Sequence, residues 1–337
     1  MPTLIAGVLL GQAPSGSDPF TFFQPHVTLT ADDRARLDSG AAVVKSLAAG
    51  SGEVAIFSAV RADISGDRLV AWVRQIEALK QSTYVRAIRR FSQPPALADV
   101  ASLNLDDSEL DDLRRCRPGS CGLKLSEAEI QELAPIARAG RPGWRAAARQ
   151  AFREAIVARA RQYEAGGLAA LPPYRDQSEP IAPGAEFDSI LAHTSFLPRR
   201  LPALTDALVK YPTVRNPDVE SFLYWSSEQL GGKPIVSITH VTIARPDDAP
   251  LPEAVVAARQ VYAAHYMSGS LAVTTILGGR DGTPRYLAYL NRSRVDVLEG
   301  FFGGLVRRII ERRLRNEAGQ VVDGLRRRLL AGEPPLR

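Results

Sequence analysis

The chain is poor in sulfur and in imidazole: its 337 residues include two cysteines, two methionines and four histidines. That scarcity leaves no set of four Cys or His ligands at the spacings of a structural zinc site, and no framework of several disulfides. No stretch approaches the run of about 18–20 apolar residues that a membrane-spanning helix needs. Nucleophile and phosphate signatures are also missing. The segment MSGSLA lacks the glycine spacing of a nucleophile elbow, GGRDGTPR is a hairpin turn without a Walker pattern, and nothing reads HExxH. What is present is ordinary for a folded chain: 45% apolar, 23% charged and 7% aromatic residues, enough for one elaborated core or two smaller ones.

The formal charge is +5, and it is concentrated. From Val297 to Arg337 there are nine arginines against five acids, so the basic character belongs to the C-terminal segment. That segment admits a solvated helix face, attraction to anionic lipid head groups, or nucleic-acid binding. Aromatics for base stacking are not interleaved there, so nucleic acid is not expected as a partner, and an anionic membrane surface is the preferred functional reading.

Compartment is read from two places. Leu4–Leu10 is an apolar run followed by Gly11-Gln12-Ala13, small residues of the kind a signal peptidase accepts, although no Lys or Arg precedes it. Residues 1–20 are therefore expected to be a signal peptide and leader, with an N-terminal strand as the alternative. The two cysteines, Cys116 and Cys121, flank Arg-Pro-Gly-Ser, a turn that brings them within disulfide reach. A disulfide in a periplasmic or secreted protein is the expectation. A redox pair usually has the closer CxxC spacing, and two reduced thiols remain the plain alternative.

Along the chain, Ala41–Ser46 and Glu53–Ile64 read as strands, and DRLVAWVRQIEALKQ repeats Leu69, Trp72, Val73, Ile76 and Leu79 at helical spacing with Asp67 as its cap. Residues 93–215 change to helices, with Ser126-x-x-Glu129 as a capping box and Asp106, Asp107, Glu109, Asp111 and Asp112 as a solvated helix start, not a calcium loop. Five segments rich in Val, Ile, Thr and Tyr follow, SFLYWSSE, KPIVSITHVTIARP, ARQVYAAHYM, SLAVTTILGG and RYLAYLNRSR, which suit an antiparallel meander. A closing helix is predicted with Val295, Leu298, Phe302, Leu305, Ile309 and Leu314 on one side, and Gly300, Gly303 and Gly304 marking a close approach.

This order of elements resembles the START-like, helix-grip superfamily. VAIFSAVRADISGDRLVAWVRQIEALKQ is similar to that family's opening, and Ser221–Leu314 to its meander and grip helix. The chain is also similar to a group of uncharacterised exported bacterial proteins that share a CRPGxC stretch (Cys116–Cys121), a YWS stretch (Tyr224–Ser226) and a YLxYxNRSR stretch (Tyr286–Arg294). The resemblance implies an α+β fold in which a curved antiparallel sheet grips a long C-terminal helix around an apolar cavity. Residues 21–92 and 216–337 would form that domain, and 93–215 a helical insertion.

Alternation in the strands places Val236, Ile238, His240 and Thr242 on one face. It sets Val261, Ala263 and His265 opposite Tyr262, Ala264 and Tyr266. His26 and His193 complete the set of histidines without a motif around them. The expected ligand-binding residues are His240, Tyr262, His265, Tyr266, Tyr289, Arg292 and Arg294, with Arg292 or Arg294 either holding an anionic head group or pairing with Asp296 or Glu299. The expected function is binding of an apolar or amphiphilic small molecule such as a lipid, without metal or cofactor. Two alternatives stay open: an enzyme with His240 or His265 as general base, and an assembly factor acting through the helical insertion on a protein partner.

Overall fold

A computed structural model describes residues 18–214, 216–229, 232–247, 251–279, 283–298 and 303–334. In chain order its elements are α1 (Ala31–Asp38), β1 (Val43–Ser46), β2 (Glu53–Arg61), α2 (Gly66–Arg74), α3 (Ile76–Lys80) and β3 (Val85–Arg90). Then come α4 (Asp107–Arg115), α5 (Glu127–Arg138), α6 (Trp144–Gly166), α7 (Pro183–Ala192), α8 (Phe196–Arg200) and α9 (Pro202–Val209). The chain finishes with β4 (Val219–Glu228), β5 (Ile235–Ala244), β6 (Ala254–Ala263), β7 (Met267–Gly278), β8 (Arg285–Val295) and α10 (Gly303–Leu330). The signal-peptide reading of the N-terminus falls on residues 1–17, outside the described residues, as do Gly300 and Phe302.

Local chemistry accounts for most of these elements. In α2, Leu69, Val70, Trp72 and Val73 form the buried stripe, and the cap is Ser65, whose side chain accepts from the Arg68 amide, in place of the expected Asp67. The capping box at Ser126 and Glu129 opens α5, and a second, between Asp106 and Glu109, opens α4. The acidic cluster is thus a helix start, as expected, although Glu109 is buried and not solvated. β3 was not anticipated: in VRAIRR the arginines interrupt the apolar alternation, and the strand exists because its backbone pairs with β4.

All eight strands join one open, curved antiparallel sheet in the order β1-β2-β8-β7-β6-β5-β4-β3, with β4 to β8 as a continuous meander. Directly paired residues share a face, so the registers define two surfaces. The first face carries Leu223, Trp225, Ile238, Ala257, Val273, Leu290 and Phe57. Two apolar clusters stand on it: one with α4, α5 and α6 over β4 to β6, the other with α7, α8, α9 and the Pro19–Phe23 turn over β2, β8 and β7.

The second face packs Val60, Val241, Ile243, Val256, Ile276 and Leu287 against Trp72, Val322 and Leu329 of α2 and α10. Here the structure corrects the expected grip. The side chains of Leu305, Ile309 and Leu314 lie outside the described residues, Val295 ends β8, and Leu298 belongs to a 3-10 turn. The documented packing of α10 is that of its last part, where Ala318, Val322 and Leu329 are buried, and the helix lies against β1, β2 and α2 at one side of the sheet. The middle of the same face carries Ser226, Ser237, Thr239, Gln260, Ser270, Asn291 and Ser293, which is not the lining of an apolar cavity.

Candidate functional site

A seam of polar side chains separates the two apolar clusters of the first face. His240 projects from β5 and is paired in register with Leu223 on one side and Arg259 on the other. A shift in the β5–β6 register between Ile238 and Thr239 makes Val261 an extra residue in β6, so that Arg259 and Tyr262 come to the same face. Strict alternation puts them on opposite faces, with Tyr262 beside Ala264 and Tyr266, and Arg259 is a residue the sequence reading did not single out.

From the helical layer, α6 lowers Tyr163 onto this pair. Its hydroxyl lies 2.7 Å from His240 Nδ1 and accepts a hydrogen bond from the Arg259 guanidinium. Tyr211 stacks on Tyr163 with ring centres 5.1 Å apart and approaches the His240 ring at 4.4 Å. That approach is set by Gly167, whose φ of +65° and lack of Cβ let the Tyr211 carbonyl pass where a methyl group would meet it at 2.2 Å. On the other side, Arg259 lies over the Phe187 ring of α7 at 4.9 Å.

The protonation pattern follows. Since Tyr163 accepts from Arg259, its own O–H donates to His240 Nδ1, and the neutral imidazole carries its proton on Nε2. Burial holds that ring neutral, with its pKa pushed down to about 3. Among the described residues Nε2 has no partner, and neither has Arg259 Nε. Arg259 is 1% exposed, forms no ion pair among the described residues, and has its pKa pushed down to about 9 by burial. Two donor atoms, one on a cationic group, are therefore buried in the seam without an acceptor among the described residues, an arrangement that costs about 1–3 kcal/mol for each unless an acceptor completes it.

The other expected residues are dispersed. Tyr262 is fully buried beneath the Arg159 guanidinium, 4.5 Å from its ring centre, and its hydroxyl is unpartnered. His265 lies beyond the end of β6, with Nε2 3.0 Å from the buried Glu109 carboxylate of α4. Tyr266 follows with φ 65° and accepts from the Lys233 amide at 3.3 Å. Tyr289 is on the second face, with burial raising its pKa to about 12, so it cannot share a site with His240.

Arg292 is neutralised by Glu53 at 2.8 Å, both side chains 1% exposed, and Arg294 by Glu186 at 2.5 Å. Neither pairs with Asp296, which binds Lys124 at 3.0 Å, and Glu299, the other expected partner, lies outside the described residues. Arg292 and Arg294 are thus occupied, and among the buried cations of the described residues the one without a carboxylate partner is Arg259. Its signal in the sequence was an arginine inside the apolar run AVVAARQVYA.

Cys116 and Cys121 form a disulfide. No helix among the described residues is long and apolar enough to cross a membrane, and none of their His, Cys, Asp and Glu side chains gather in threes that could hold a metal ion. No protein-family model, curated protein or solved structure matches the chain.

Proposed function

We propose that the protein is an exported binding protein for an amphiphilic small molecule with an anionic end, a carboxylate held by Arg259 Nε and His240 Nε2. The observation that carries this reading is the buried Arg259, a guanidinium without a carboxylate partner among the described residues, beside a second unpaired donor. Arg259 replaces Arg292 and Arg294 in the role the sequence suggested for them. The apolar part of the ligand would follow the seam, whose flanks are Leu223 and Trp225 of one cluster and Ala257 and Val273 of the other. Burial of that part supplies affinity, and the charge-assisted contacts supply orientation. The disulfide suits an oxidising compartment. Arg312, Arg315 and Arg327 are exposed on α10, a basic surface for peripheral contact with anionic lipid.

Native mass spectrometry of protein taken from its own oxidising compartment, before and after organic extraction, tests this. The expected result is an acidic compound bound in the wild type, removed by extraction and absent from Arg259→Met. Rebinding of palmitate to the extracted protein should weaken by about 10–100-fold in that variant, the loss of one charge-assisted contact of about 1.5–3 kcal/mol. A wild type that is empty and does not take up palmitate overturns the proposal.

A further inference from the structure

A different end of the first face gathers polar side chains from four segments. Ser195 follows α7, and its Oγ lies 2.9 Å from His26 Nε2, which comes from the loop after the Pro19–Phe23 turn. Two residues before Ser195, His193 places Nδ1 2.6 Å from Glu53 Oε2 at the start of β2. The same carboxylate takes Arg292 at 2.8 Å on Oε1 and the Gly50 amide at 3.2 Å on Oε2. The His193 ring leaves no room for a side chain at residue 50, where a Cβ would stand 2.9 Å from it.

The Glu53–Arg292 pair is fully buried, so its desolvation makes it a poor device for stability alone. What it does here is hold His193 at a surface where that side chain remains 45% exposed. His26 is half-buried, and its proton affinity is lowered by burial first and then by the charges of Arg292 and Arg199, with Glu53 opposing them. It is therefore a neutral proton acceptor at neutral pH. A hydroxyl within hydrogen-bond reach of a neutral imidazole at a half-buried rim is the nucleophile–base pair from which an activated serine is built.

We infer that Ser195 is a nucleophile toward carboxylic esters, with His26 as its general base. Ser195 Oγ adds to the ester carbonyl carbon while its proton passes to His26 Nε2. The bond from that carbon to the leaving alkoxide then breaks as the alkoxide takes the proton, which leaves an acyl-serine. Water reverses the sequence: it gives its proton to His26, its oxygen bonds the acyl carbon, and the carbon–Oγ bond breaks with return of the proton to Ser195. His193, held by Glu53 at the exposed rim two residues before Ser195, is a positioning residue for that segment. This site uses none of the residues of the Arg259 seam.

The test uses the full oxidised chain, a fluorophosphonate probe and p-nitrophenyl acetate. The expected result is a single adduct on Ser195, absent from S195A, and slowed by about 100-fold or more in H26Q, the usual contribution of a general base. Turnover in the wild type should be flat at neutral pH and fall only below the ordinary histidine value of 6.5. E53Q, which removes the charge that raises the His26 pKa, should move that fall to lower pH while leaving the adduct on Ser195. An unlabelled wild type, labelling at another residue, or labelling undiminished in a folded H26Q protein overturns the assignment.

Discussion

His240 shows how a residue type acquires its meaning from its surroundings. In the sequence it was one of two strand histidines with the chemistry of a general base. In the fold it is a buried, neutral donor whose Nδ1 is taken by Tyr163, which removes it from acid–base work at neutral pH. Its folded pKa of about 3 lies below the ordinary 6.5, so as pH falls the unfolded chain binds a proton that the folded chain refuses. The penalty is absent above pH 6.5 and grows down to pH 3. Urea unfolding at pH 7 and pH 4.5 should show a loss of about 3 kcal/mol from this group, and His240→Gln should remove it. Asp18, Asp33, Asp99 and Asp112, all held below the ordinary carboxylate range, add their own losses only in the more acidic range. An H240Q protein with the same loss from pH 7 to 4.5 as the wild type would refute the assignment.

Helix starts were legible because a capping box is local: Ser126 and Glu129 close on each other within four residues. What the local pattern concealed is the second duty of Glu129, whose Oε2 also accepts from Arg159 of α6, a side chain 1% exposed. The two functions separate by mutation. Ser126→Ala should cost about 1 kcal/mol, the worth of a cap. Glu129→Ala should cost about 3–5 kcal/mol, because it leaves a buried guanidinium without its carboxylate. Equal costs measured by denaturant unfolding would mean that the Arg159 pair contributes nothing. Strand β3 illustrates the opposite failure. Its arginines mask the alternation, and a strand at the margin of a sheet is specified by the partner it pairs with as much as by its own residues.

Taken together, the eight strands and the helices on both faces explain why a disulfide in so small a loop still has a place. Cys116 is buried in the cluster of α4, α5 and α6, and the Cys116 carbonyl accepts from Arg138 of α5. The loop spans a sequence separation of 5, so the bond restricts the unfolded chain only slightly. Replacing both cysteines with serine should lower stability by about 2 kcal/mol without changing the fold, checked by urea unfolding and circular dichroism. A loss of the helical signal would instead make the bond essential to the α4–α6 layer. The sequence by itself was enough to place the late meander, the two cysteines within reach of each other and the capping box at Ser126 and Glu129. Each of these depends on periodicity or on neighbours a few residues apart. Tertiary structure alone decided which charges meet. Arg292 finds Glu53 across two strands, Lys124 finds Asp296, and the β5–β6 register sets Arg259 directly opposite His240 while a one-residue shift brings Tyr262 to the same face, because register and layer packing join residues that lie far apart in the chain.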